Sequence, residues 1–148
     1  MRGLAVIALL VLAGCGRVIE TGVKGGRLAP CPRGPGCVST EAADPAYRME
    51  PIPLTRVPGQ AAMRIVQKLM QLPRTEVLLN RAVAETGESY VQARSKSMIL
   101  RLTDDLEFHV DPASKLVQFR AVAHWGYLDL GSLRRRMVDL RRQLDGEL

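Results

Sequence analysis

The sequence predicts an α+β fold: a single antiparallel sheet of about four to five strands, with an N-side helix and a C-terminal helix packed on one face. Three observations point there. Apolar residues follow the helical i, i+3, i+4, i+7 rule in one stretch after Pro58 and in another after Ser132. Between these stretches the pattern changes to alternation. The links between the alternating runs are too short to hold crossover helices, so successive strands must pair antiparallel.

The chain of 148 residues suits one domain, and a hydrophobic content of 47% is enough for a core. Aromatic residues make up only 4%, so Leu, Val, Met and Ala must fill that core. A formal net charge of +6 permits nucleic acid, an anionic membrane or simple solubility as its reason.

In chain order, Met1-Arg2-Gly3 is a short basic start, and Leu4 to Ala13 is an apolar run. That run is too short to span a hydrocarbon core of about 30 Å as a helix. Leu12-Ala13-Gly14-Cys15 then matches a bacterial lipobox, in which the cysteine is thioether-linked to diacylglycerol and becomes the first residue of the mature protein. The reading is a signal peptide over 1–14, a flexible tether over 15–29 and a domain over 30–148. It makes the protein exported and lipid-anchored through Cys15 to the bacterial cell membrane or outer membrane, facing the periplasm or exterior. Each buried CH₂ of an acyl chain contributes about 0.8 kcal/mol to such an anchor.

Cys31 and Cys37 lie six apart in a stretch with three prolines and two glycines, Leu28 to Thr40. In an exported chain whose Cys15 is acylated, a disulfide between them is the default. A loop this short is worth about 2 kcal/mol in the chain-entropy account. A metal site needs further ligands, and His109 and His124 have no metal-type spacing. A redox site calls for Cys-x-x-Cys beside a βαβ pattern. No metal and no cofactor is expected.

Asp44 to Pro58 reads as an extended wrap around the domain edge. Pro58 opens a helix whose apolar stripe is Ala62, Ile65, Val66, Leu69 and Leu72, and Pro73 stops it. Thr75–Val83 and Tyr90–Lys96 read as strands around a turn at Glu85–Glu88. Met98, Leu100, Leu102, Leu106, Phe108 and Val110 share one parity, so Met98–Val110 reads as one long strand, kinked near the aspartates. Asp104 then points to the apolar side, where a buried carboxylate needs an arginine. Asp111–Lys115 is a turn. Val117, Phe119, Ala121, Ala123 and Trp125 form the buried side of a last strand. After a loop over Gly126–Gly131, Ser132 is expected to cap a final helix with the stripe Leu133, Met137, Leu140 and Leu144, surrounded by arginines.

Three stretches resemble the domain of unknown function family numbered 1499. Its opening motif is similar to Cys31-Pro32-Arg33-Gly34-Pro35-Gly36-Cys37-Val38-Ser39-Thr40, with Gly36 where the family has asparagine. Its middle motif resembles Arg94-Ser95 followed by Asp104-Asp105-Leu106-Glu107-Phe108. Its last motif resembles Arg120, Gly126, Asp129, Gly131 and Arg134-Arg135-Arg136. Ala121, Ala123, His124 and Leu133 depart from it. The resemblance implies fold and location, and carries no chemistry with it.

Candidate catalytic groups are Asp105, Glu107 and His124, since paired carboxylates near a histidine can perform general acid–base work. Arg94, Asp104, Arg120, Asp129, Arg134 and Arg136 are candidates for structural or binding roles. Adjacent Asp104 and Asp105 point to opposite faces of a regular strand, so they cannot form one dyad. The sequence holds no Gly-rich phosphate loop, Gly-x-Ser-x-Gly elbow or His-Glu-x-x-His. The favoured expectation is a non-catalytic binding or structural module of the cell envelope. The rival is an envelope hydrolase or lipid-modifying enzyme using Asp105, Glu107 and His124. Expected partners are the membrane, envelope proteins and anionic lipid met by the arginine-rich last helix. Export and the scarcity of aromatics argue against nucleic acid.

Overall fold

Pro58–Gln71 fold as helix α1 because proline at the first position gives up no hydrogen bond and Ala61, Ala62, Ile65 and Leu69 bury one stripe. Leu72, held extended before Pro73, ends it. The computed structural model describes residues 19–98 and 100–148, so the expected signal peptide over 1–14 and the expected lipid attachment at Cys15 lie outside the described residues.

Among the described residues, eight strands and two α-helices make an α+β fold. Strands β1 (Val23–Lys24) and β2 (Arg27–Leu28) form a small hairpin of their own. The main sheet joins β3 (Cys37–Ser39), β4 (Ile52–Pro53), β5 (Thr75–Ala82), β6 (Ser89–Lys96), β7 (Thr103–Asp111) and β8 (Leu116–Ala123). Its order is β3-β8-β7-β6-β5, with β4 also on the free side of β8, and every pairing between these strands is antiparallel. The sheet thus has six strands rather than four or five. The two extra ones are only two or three residues long, below the length at which alternation can be read.

Helix α2 (Ser132–Leu144) buries Leu133, Met137, Leu140 and Leu144. The two helices share one core with Val91, Ala93, Leu106, Phe108, Val110, Val117, Phe119 and Ala121. Phe108 and Phe119 face each other across β7 and β8 with ring centroids 6.1 Å apart. A tilted pair of this kind adds about 1 kcal/mol beyond the area it buries.

Three expectations need correction. Met98–Val110 is not one strand: Ser97–Leu102 is the β6–β7 turn, closed by the Ser97 N–H donating to the Leu102 carbonyl at 2.9 Å. Met98 and Leu100 continue the parity of the strand by coincidence and lie exposed. Trp125 leaves the sheet after Ala123 and is exposed as well. The expected tether fails from Glu20 onward, because the β1–β2 hairpin lies on the domain with Leu28 and Ala29 buried.

Cys31 and Cys37 form a disulfide with a Cα–Cα distance of 5.8 Å. Its loop is pressed against the segment after β8. A Cβ on Gly126 would stand 1.9 Å from the Pro35 carbonyl oxygen, and one on Gly36 would stand 2.4 Å from the Gly126 Cα. Gly36 also has φ +81°, a region that suits glycine and asparagine, but the contact with Gly126 leaves room for glycine alone.

The buried polar face of the sheet

The side of the sheet away from the helices carries polar residues at every second position. Register sets them in rows. Ser39, Arg120, Glu107 and Gln92 are successive partners across β3, β8, β7 and β6. Beside that row, Val122, Asp105 and Arg94 align, and on the other flank Gln118, His109 and Tyr90. A polar face of this kind normally meets water. Here Asp105, Glu107, His109 and Arg120 are buried, because the segment Glu20–Ala29 lies over the sheet.

Glu107 sits at the centre. Its Oε2 accepts from Arg120 Nη1 at 2.7 Å, and its Oε1 accepts from the Tyr90 hydroxyl at 2.7 Å and the Gly22 N–H at 2.6 Å. Arg120 Nη1 also donates to the Glu20 carbonyl at 2.8 Å. Both charged side chains are 0% exposed. Burial pushes the Glu107 carboxyl above its ordinary value, and the Gly22 N–H, Arg120 and Tyr90 hold it back. Burial likewise lowers Arg120, opposed by Glu107. Tyr90 is driven up by burial and by the hydrogen bond to Glu107, so its hydroxyl remains a donor. Arg120 Nε and Nη2 have no hydrogen-bond partner among the described residues.

Asp105 forms a second, separate group. Arg94 Nε donates to its Oδ1 at 3.0 Å, and His124 Nε2 lies 2.7 Å from its Oδ2. The three candidate catalytic residues therefore do not meet in one cluster. Glu107 turns to Tyr90, Arg120 and the N-terminal segment, while His124 turns to Asp105.

Asp104 faces the helix side, and the arginine beside it is Arg136, which hydrogen-bonds both its carboxylate and the Ser95 hydroxyl. Burial raises Asp104, and Arg136 lowers it in part. Asp129 is not an arginine partner. Its Oδ1 accepts from the Ser132 hydroxyl at 2.7 Å and the Leu133 N–H at 2.8 Å, so Asp129 does the capping of α2 expected of Ser132. Arg134 donates to the carbonyls of Arg48 and Ala46, and Arg141 to those of Glu50 and Pro51. These two arginines of the last helix clamp the 46–51 segment.

His109 is 2% exposed, neither ring nitrogen is hydrogen-bonded among the described residues, and Nε2 lies 3.8 Å from Glu88 Oε2. It lines a cleft of about 370 Å³ with Gly22, Arg81, Glu88 and Tyr90. Among the described residues, no group of three His, Cys, Asp or Glu side chains is placed to hold a metal, and no helix is long and apolar enough to cross a membrane. Sequence reasoning missed Gly22 and Glu20, which act through backbone atoms and leave no side-chain signal. Tyr90 was detectable, since its parity puts it on the face of Arg94.

The three quoted motif stretches meet in space. The opening one touches the last through Gly36 and Gly126, and the middle one touches the last through Glu107–Arg120 and Asp104–Arg136. Comparison with curated proteins and with solved structures finds no match. The family described as Protein of unknown function (DUF1499) matches residues 27–144, most of the chain, and the protein therefore belongs to the DUF1499 family.

Proposed function

We propose that the protein is a lipid-anchored, non-catalytic module of the bacterial cell envelope, acting through binding or structure. In this reading the segment that follows the anchor is fastened to the domain instead of swinging free. The observation that carries it is the use made of the polar face. Both oxygens of Glu107 and both of Asp105 are taken by donors within the chain, with Glu107 accepting from the Gly22 N–H and Arg120 donating to the Glu20 carbonyl. Only five peptide links separate Cys15 from Glu20. At about 3.5 Å per residue this holds the domain within roughly 17 Å of the acylated residue.

Expression of the full chain in a bacterial host tests the anchor. Wild type should fractionate with membranes and carry diacylglycerol on Cys15, and Cys15→Ser should release the chain to the soluble envelope fraction. Equal membrane retention of both would contradict the reading.

A second reading, an envelope hydrolase or lipid-modifying enzyme, has one observation in its favour. His124, about a third exposed, lies against Asp105 as a histidine–carboxylate pair. A turnover abolished by Asp105→Asn with the melting temperature unchanged would establish it in place of the first.

A further inference from the structure

Two loops lie side by side at one end of the sheet. The first is the β6–β7 turn, of which Ser97, Met98 and residues 100–102 are described. The second runs from His124 to Gly131 and starts where the β7–β8 ladder ends, the His124 N–H donating to the carbonyl of Thr103, the first residue of β7, at 2.9 Å. Together they expose six large apolar side chains: Met98 at 72%, Leu100 at 61%, Trp125 at 63%, Tyr127 at 81%, Leu128 at 52% and Leu130 at 84%. Single exposed apolar residues are ordinary, but a group of this size confined to one end marks an interaction surface.

Charge surrounds that group. Lys96 precedes the first loop and Arg101 lies within it, both exposed, as are Arg74 and Arg135. Arg135 donates to the Leu130 carbonyl at 3.5 Å, which holds its guanidinium against the second loop. Between the first loop and the start of α2 lies a cleft of about 250 Å³ lined by Arg74, Lys96 and Arg136, with Ser95, Ser97 and Met98. Arg136 Nε is buried there with no partner among the described residues. Asp104, Asp105 and Asp129, the aspartates of this end, are already tied to Arg136, to Arg94 with His124, and to the cap of α2. The exposed cations Arg74, Lys96, Arg101 and Arg135 therefore outnumber the remaining carboxylate there, Glu76, which stands opposite Arg94.

We propose that this end of the sheet is a membrane-docking surface for an anionic bilayer. The apolar tips enter the boundary between headgroups and acyl chains, where Trp and Tyr are at home with a ring in the apolar layer and a polar atom in the wet one. Lys96, Arg101 and Arg135 lie over anionic headgroups, which attract such cations near the surface. The Arg74–Lys96–Arg136 cleft receives a lipid phosphate. The surface is distinct from the anchor and takes from the last helix only Arg135 and Arg136, near its start. The two contacts are geometrically compatible. Four residues of β8, about 13 Å, separate Arg120, which holds Glu20, from His124 at the docking end. The five links to Cys15 cover that distance.

Trp125 is the one tryptophan of the chain, so its fluorescence reports on this surface alone. The full, acylated chain would be reconstituted with anionic vesicles whose acyl chains carry bromine. Trp125 emission is expected to shift to shorter wavelength and to be quenched, more weakly on neutral vesicles. Met98→Asp combined with Leu130→Asp should reduce quenching several-fold, and Lys96→Glu combined with Arg101→Glu should remove the preference for anionic lipid. Trp125 that stays unquenched in chain sedimenting with the vesicles overturns the docking surface and leaves the anchor standing. Quenching unchanged in both double variants overturns it too. Emission already at short wavelength without vesicles also counts against it, since protein then covers the patch.

Discussion

Glu107 and Arg120 stand opposite each other on neighbouring strands with 2.7 Å between Oε2 and Nη1 and no exposure of either side chain. Two charges removed from water in this way gain little over an apolar pair, yet either one left alone is costly. Glu107→Leu or Arg120→Met is expected to destabilise the fold by about 3–5 kcal/mol. The double variant should recover a large part of that loss, because no charge is then stranded. Denaturant unfolding of the three variants measures it. Losses that simply add would show that the two residues act independently.

Asp104 and Glu107 predict the pH dependence of stability. Burial raises both carboxyls above their ordinary values of 3.8 and 4.5. Above those values the folded chain holds protons that the unfolded chain releases, so stability falls as pH rises through the folded pKa values. The contribution is fully present below the unfolded values. The melting temperature should therefore rise as pH falls from neutral toward the ordinary carboxylate range. Asp104→Asn and Glu107→Gln should each flatten that slope. A slope of the opposite sign would show that these carboxyls are held below their ordinary range.

Much of the fold can be read from single residues. Parity along Leu106, Phe108 and Val110 places Asp104 on the helix side, and from there its need for an arginine follows. Parity fails at Met98 and Leu100, where a turn repeats the spacing of a strand by chance. Cys37–Ser39 and Ile52–Pro53 escape notice because two or three residues show no period, and they depend on the free edge of β8 for their hydrogen bonds. Residues 20–29 look like a tether because what orders them is remote. Gly22 is 85 residues from Glu107, and Glu20 is 100 from Arg120. The candidate site is legible only in part for the same reason: Asp105, Glu107 and His124 share a face, but only the folded sheet shows which neighbour each one takes.

Gly126→Ala tests the contact between the disulfide loop and the segment after β8. The added methyl has no room beside the Pro35 carbonyl, so a loss of about 1–3 kcal/mol is expected. Gly59→Ala is the control. It lies in α1 with open space around it and should stabilise by about 0.5–1 kcal/mol. Thermal unfolding of both variants decides the matter, and a harmless Gly126→Ala would contradict the described approach.

Opening the Cys31–Cys37 bridge with Cys31→Ser and Cys37→Ser should cost about 2 kcal/mol by loop entropy. Non-reducing mass spectrometry of wild type should find no free thiol at either position. Alkylation of both in unreduced protein would overturn the pairing.

The buried pair fastens the N-terminal segment to the sheet, and the Gly22 amide reports on it directly. Its N–H ends on Glu107 Oε1 at 2.6 Å. Hydrogen exchange followed at that amide should show strong protection in wild type and protection lost in Glu107→Leu, which removes the acceptor, while the amides of α1 stay protected in both. A Gly22 amide that exchanges in wild type as fast as in an unstructured peptide would contradict the account.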